Sequence, residues 1–275
     1  MEVYSHSKLS TFEQCKLRYK YRYIDKIIPP VERTIEAHLG SIVHKALEWL
    51  YSEAKEGRVP DMDEVIIYYS RAWMADYTPD LIENNGKDEK HYFNKGVQFL
   101  IDYYNNNHPF DENTLDVEKE IFIDLDKSGE HKIRGFIDRL AYNLKTGEYE
   151  IHDYKTSGTF PSQEKIDHDR QLALYSIAVR EMFENVREVR LIWHYLFFNK
   201  KLESKRTIEQ LEQLKKETIE LIKVIESSTK FPPTVSRLCD WCPYKQICPA
   251  WNSPLEESKS SAPGFEKQER LGKFF

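Results

Sequence analysis

Apolar positions recur along this chain with two different periods, and the switch between them divides it. Ile35, Leu39, Ile42, Val43, Ala46, Leu47 and Leu50 fall at helical spacing, which predicts an amphipathic helix over about 35–55. Helical patterns continue over about 63–76 and 88–105, interrupted by Pro79 and the turn signal Asn84-Asn85-Gly86. Nearer the N-terminus, Ser10 and Glu13 have the spacing of a capping box and predict a helix start there. From residue 115 the period drops to two. β-Branched and aromatic residues fill 115–125, 131–142 and 148–155, separated by the hairpin-like turns Lys127-Ser128-Gly129 and Lys145-Thr146-Gly147, so three successive antiparallel strands are predicted. A helix over about 163–184, an apolar strand from Val189 to Phe198, a short strand near 202–207 and a Lys/Glu-rich helix to about 228 follow. This order predicts an α/β fold, one mixed sheet flanked by helices with a helical region (35–110) ahead of the core (115–228). Residues 231–250 are Cys- and Pro-rich, and 252–275 form a polar tail expected to be flexible and without its own core.

Composition narrows the class. The chain has 275 residues, 40% hydrophobic and 31% charged, so it has ample sequence to bury a core without a disulfide framework. No apolar run approaches the roughly 18 residues of a membrane span, and residues 1–10 lack a signal-peptide pattern, which predicts a protein of the reducing cytosol with no membrane partner. There the four cysteines are expected to be ligands or inert thiols rather than disulfides. Forty Lys+Arg against 46 Asp+Glu give a net charge of −6, which does not exclude nucleic acid, because local basic patches decide that contact.

The sharpest chemical signal is Ile151-His152-Asp153-Tyr154-Lys155 at the end of the third strand, with Gly135-Phe136-Ile137-Asp138-Arg139 in the second. Side chains two apart on a strand share a face, so Asp153 and Lys155 point the same way, and hairpin pairing brings Asp138 towards Asp153. Paired carboxylates favour Mg²⁺ or Mn²⁺, and a lysine beside them can assist a bound water or offset charge on a phosphoryl group. Asp-x-Lys alone is ordinarily a solvated surface pair; the buried-strand alternation before it and the second acidic strand raise its weight here. His44 lies on the flank of the first amphipathic helix, where an imidazole is either a packed core residue or a metal ligand. Gln171 and Tyr175, four apart, share one helical face and either border the site or fill the helix–sheet interface.

In this order and context, His44, Asp138, Asp153, Lys155, Gln171 and Tyr175 resemble the RecB/AddB-type branch of the PD-(D/E)XK nucleases, over roughly Ser5 to Ala250. The resemblance implies a restriction-endonuclease-like nuclease domain over 1–250. It implies that His44, Asp138 and Asp153, with the main-chain carbonyl of Tyr154, bind the metal. Lys155 would assist the attacking water, and Gln171 and Tyr175 would flank the site.

Cys15 stands alone, and Cys239, Cys242 and Cys248 cluster near the end. Three close thiols with a distant fourth can encircle a metal centre and tie the N-terminal helix to the C-terminal loop; the 1+3 spacing suits iron–sulfur better than zinc. The spacing is similar to that of AddB-type and CRISPR-adaptation nucleases, which implies a structural [4Fe–4S] cluster. Lys16, Arg18, Lys20 and Arg22 alternate with apolar or aromatic residues, as in segments that hold single-stranded DNA, although a helix packing its tyrosines inward would show the same pattern. At the C-terminus, Gln268, Leu271, Phe274 and Phe275 follow the pattern of peptides that bind PCNA-type sliding clamps.

Together these features predict a metal-dependent deoxyribonuclease acting on single-stranded or flapped DNA in replication or repair. It would be nucleoid-associated in the cytoplasm of an archaeal source, or nuclear in a eukaryotic one. The rival readings are a CRISPR-adaptation-type nuclease trimming spacers and a DNA-binding module without catalysis.

Overall fold

The structure is a computed structural model that describes residues 2–29, 34–78 and 87–252. Pro79, Asn84-Asn85-Gly86 and the tail with Gln268, Leu271, Phe274 and Phe275 lie outside the described residues.

The helical half opens with a short strand β1 (Val3–Tyr4), then α1 (His6–Gln14) and α2 (Lys16–Tyr19), which runs into a π-helical turn, Lys20–Ile24. The cap of α1 is Ser5 rather than Ser10: the Ser5 hydroxyl accepts from the Lys8 amide, and Ser10 lies within the helix. Helix α3 (Ile35–Lys55) is capped by Thr34 and buries the predicted stripe of Ile35, Leu39, Ile42, Val43, Ala46, Leu47 and Leu50. Against it pack α4 (Met62–Asp76), with an Asp61/Glu64 capping box, and α5 (Glu89–Asn107).

The strands follow: β2 (Thr114–Asp124), β3 (Lys132–Asn143) and β4 (Glu148–Lys155), antiparallel in succession as predicted. Gly129 and Gly147 take φ of 69° and 72° in the connecting turns, a left-handed conformation that favours glycine. The predicted helix over 163–184 is two helices, α6 (Gln163–Asp167) and α7 (Arg170–Met182). It breaks because the Asp169 carboxylate accepts from the Gln171 and Leu172 amides and starts α7 afresh. Strand β5 (Val189–Tyr195) ends earlier than predicted, in a 3₁₀ turn, Leu196–Phe198, and is followed by β6 (Lys200–Ser204), α8 (Ile208–Ser227) and the short α9 (Pro249–Asn252).

The sheet is mixed: β4 and β5 are parallel, and the neighbours run β3-β4-β5-β6. On the β4 side of β3 the edge is shared. Tyr4 of β1 pairs with Ile133, whereas β4 pairs only from Arg139 onward. Two cores cover the sheet. One joins β3, β4 and β5 to α1, α7 and α8 through residues such as Leu9, Ile151, Leu174 and Trp193. The other is the α3–α4–α5 bundle, closed by Tyr154 and Leu196. Each fully buried Leu or Ile contributes about 1.5–3 kcal/mol, so the strand ends between the two cores are held firmly.

Candidate active site at the strand fork

The register brings the acidic residues into a row. Val117 and Lys119 of β2 pair with Arg139 and Ile137 of β3, placing Glu118 across from Asp138. Arg139 pairs with His152 of β4, so Asp153 lies one step further on, beside Asp138. At that step β3 and β4 cease to pair, and the opening is bridged by the Tyr154 amide donating to Asp138 Oδ2 at 2.9 Å. Helix α3 closes it: His44 Nδ1 is 3.4 Å from Asp138 Oδ2, and its Nε2 is 2.7 Å from the Tyr154 carbonyl oxygen. Ligand atoms of His44, Glu118 and Asp138 all lie within 4.8 Å of one another.

Glu118 carries no signal in the strand periodicity. It takes φ 45°, the left-handed region, in the middle of β2. Such a conformation in a residue with a Cβ is costly and is commonest where function maintains it. No sequence pattern used above encodes it; an acidic residue in a strand otherwise reads as solvent-facing.

The electrostatics show carboxylates brought together against their charge. Burial, and then the Asp153 charge, push the Asp138 carboxyl up to about 7. Burial also raises Glu118, opposed by His44 and assisted by Glu48 and Asp153. Asp153 is 4% exposed; its Oδ1 accepts from Lys155 Nζ at 2.9 Å, while buried Oδ2 has no hydrogen bond although Nζ is 2.7 Å away. Burial pulls Lys155 down, but Asp153 and Asp138 outweigh it and hold the ammonium above its ordinary range. Gln171 Oε1 also accepts from Lys155, at 3.3 Å. Tyr175 is buried beside Gln171, hydrogen-bonded to it and to the Phe136 backbone. Its ring lies where Gly135 has no side chain: a Cβ there would be 2.4 Å from the ring. His6 also feels the site, pushed down to about 4 by burial and the charges of Arg170 and Lys155.

The donor set fits a hard divalent cation. Oxygens from Asp138, Glu118 and the Tyr154 carbonyl converge with one imidazole, and a cation would relieve the raised carboxyls of Asp138 and Glu118.

The four cysteines are all free, and all line one cavity between α2 and the 233–251 segment. The Thr234 amide donates to Cys15 Sγ and the Ser236 amide to Cys239 Sγ, each at 3.4 Å. The Cys242 thiol is raised by burial, with Cys15 and Cys239 adding to the rise and Arg18 opposing it. The basic stretch is partly consumed locally. Lys20 pairs with Asp25, Lys16 lies 5.1 Å over Phe12 and Arg22 5.4 Å over Tyr23, while Tyr19 is buried.

The sequence profile of the PD-(D/E)XK nuclease superfamily matches residues 3–249. The chain belongs to the PD-(D/E)XK nuclease superfamily. The mixed sheet flanked by helices is consistent with the PD-(D/E)XK fold, whose members are typically metal-dependent nucleases. No curated protein matches the chain. Among solved structures, the crystal structure of SSO0001 is 17% identical and covers 78% of this chain and 97% of its own, with a TM-score of 0.35, a likeness that carries no functional argument. Among the described residues, no helix of this PD-(D/E)XK protein is long and apolar enough to cross a membrane.

Proposed function

We propose that the protein is a divalent-metal-dependent DNA nuclease of the RecB/AddB-like branch, acting on single-stranded ends or flaps. The row Glu118–Asp138–Asp153, capped by His44 and completed by Lys155, carries this reading. His44, Asp138, Asp153 and the Tyr154 carbonyl, with Glu118 added, would hold the metal. When bound, Mg²⁺ or Mn²⁺ lowers the pKa of coordinated water and screens phosphoryl charge. Lys155 lies on the Asp153 side of the fork, where its ammonium supports a nucleophilic water and offsets developing negative charge on the phosphate. Gln171 orients that ammonium, and Tyr175 fixes Gln171 against the strand.

On this reading residues 1–250 form one nuclease domain. The cavity shared by Cys15, Cys239, Cys242 and Cys248 suits a structural [4Fe–4S] cluster, whose thiolates accept backbone N–H bonds of the kind Thr234 and Ser236 donate. Gln268, Leu271, Phe274 and Phe275 would engage a PCNA-type clamp and raise the enzyme's effective concentration at nascent DNA. Such a tether would suit a role in replication or repair, with nucleoid-associated or nuclear localisation following the host. Lys16, Arg18, Lys20 and Arg22 would follow the phosphate backbone.

Digestion of single strands labelled separately at the 5′ and 3′ ends, by anaerobically purified protein and by Lys155→Ala, tests the reading. Metal-dependent cleavage lost in the variant is the expected result, and the order of label release gives the polarity. Tight DNA binding without cleavage by cluster-loaded protein would leave a catalytically silent binding module.

A further inference from the structure

A group of aromatic rings sits at the exit of the two parallel strands, and the nuclease chemistry does not use it. Phe160 and Phe197 remain 37% and 42% exposed. They are backed by covered rings: Phe160 lies 5.2 Å from Tyr195 and 5.3 Å from Phe198, and Phe197 lies 4.9 Å from Phe198. Tyr195 pairs with Lys155 across the β4–β5 ladder, so the group adjoins the catalytic lysine. The loop between Lys155 and Phe160 runs close to α3 and to Phe197. Thr156 Oγ1 would be 3.1 Å from a Cβ on Gly40, one turn before His44, and a Cβ on Gly158 would lie 3.7 Å from the Phe197 ring.

Cations flank the exposed rings. Lys95 Nζ is 4.0 Å from the Phe197 centroid and Lys200 Nζ is 5.8 Å from that of Phe160. Lys95 is held below its ordinary range by burial and then by Lys87, with Glu36 opposing, so a further anion would be welcome there. Half-exposed rings carrying ammonium groups, which among the described residues form no ion pair, match what an unpaired nucleotide strand offers, π-faces and phosphates. An apolar protein partner would have no use for the lysines.

We propose that Phe160 and Phe197 form a base-stacking platform, flanked by Lys95 and Lys200, that holds the unpaired strand of a nucleic-acid substrate beside the carboxylate fork. The inference rests on the nuclease reading and adds the element that positions the strand. Stacking contributes about 1–3 kcal/mol per base, or roughly 5- to 150-fold in affinity.

The test is fluorescence anisotropy with the full chain, metal withheld, on a labelled oligothymidylate and on a strand of equal length made of abasic sites. Phe160→Leu with Phe197→Leu keeps apolar packing while removing both ring faces. Loss of about 10-fold or more on oligothymidylate, little change on the abasic strand, and recovery with Trp at both positions are expected. Equal loss on both strands, or none on either, overturns the platform even if the double variant still cuts DNA, and the nuclease reading then stands. Wild-type protein that neither binds nor cuts a single strand removes the nuclease reading and the platform with it.

Discussion

Glu118 and Asp138 face one another across β2 and β3, and burial raises both carboxyls in spite of the nearby His44 imidazole, so each charge is held at a cost in folding free energy. Two consequences follow at the level of single side chains. Glu118→Gln keeps the size of the residue and removes one negative ligand; Mn²⁺ affinity by titration calorimetry should fall about 10-fold, and an unchanged affinity would exclude Glu118 from the metal site. Asp138→Asn removes the charge that burial and Asp153 disfavour. In metal-free protein above pH 7 it should raise stability by about 2 kcal/mol while abolishing cleavage, read by urea unfolding in EDTA; lower stability would contradict the account of the site as strained. The positions of His44, Asp138, Asp153 and Lys155 were legible in the sequence because helix and strand periods put them on the faces the fold brings together, whereas their roles came from the family resemblance. Glu118 was not, because an acidic residue in a strand reads as solvent-facing, and only the β2–β3 register shows that it lies across from Asp138.

Elements matter here through how closely they approach. Gly135 lets the Tyr175 ring of α7 lie directly on β3, and Gly96 of α5 leaves room for the Tyr69 hydroxyl, which a Cβ would approach to 2.0 Å. Gly135→Ala should cost about 1–3 kcal/mol through overpacking. Its effect should be clearly less than additive with Tyr175→Ala in a double-mutant cycle, because the second change removes the clash; strict additivity would show that the two do not touch. The boundaries of α3, α4, α5 and β2 to β4 agreed with the sequence pattern to within about two residues. The departures were at polar punctuation. Asp169 is one of several polar residues around 167–170, and only the fold shows that its carboxylate caps α7 and breaks the predicted long helix. Ser10 has the spacing of a cap, but α1 starts at Ser5, whose hydroxyl accepts from the Lys8 amide while Leu9 and Phe12 bury the helix against the core.

At the scale of the whole molecule, two cores clamp one sheet, and the α3–α4–α5 side encloses polar groups. Arg139, 1% exposed, donates to His152, whose Nδ1 lies 2.9 Å from His194 Nε2; both rings are buried. Glu112 pairs with Arg139, Glu150 lies 3.4 Å from His152, and Lys201 acts on both rings and Arg190 on His152. Burial first, with Arg139 and the neighbouring cations next, holds His152 well below 6.5; His194 is lowered by burial, then by His152 and Arg139. Their folded pKa values lie below the unfolded one, so the unfolded chain takes up protons that the native one refuses. Stability should therefore be full above about pH 6.5 and fall as pH drops through it, by up to about 1.4 kcal/mol per pH unit for each imidazole. Unfolding free energies between pH 7 and 5 check this, and His194→Phe, which keeps the ring contact with Tyr103 and Tyr154, should flatten the slope; an unchanged slope would contradict it. Chemistry at the fork between β3 and β4 is tested most directly by single-turnover cleavage of single-stranded DNA with Mg²⁺ or Mn²⁺, comparing the wild-type protein with Asp153→Ala. Cleavage should require metal and fall at least about 100-fold in the variant; cleavage that persists undiminished in Asp153→Ala would place the chemistry elsewhere.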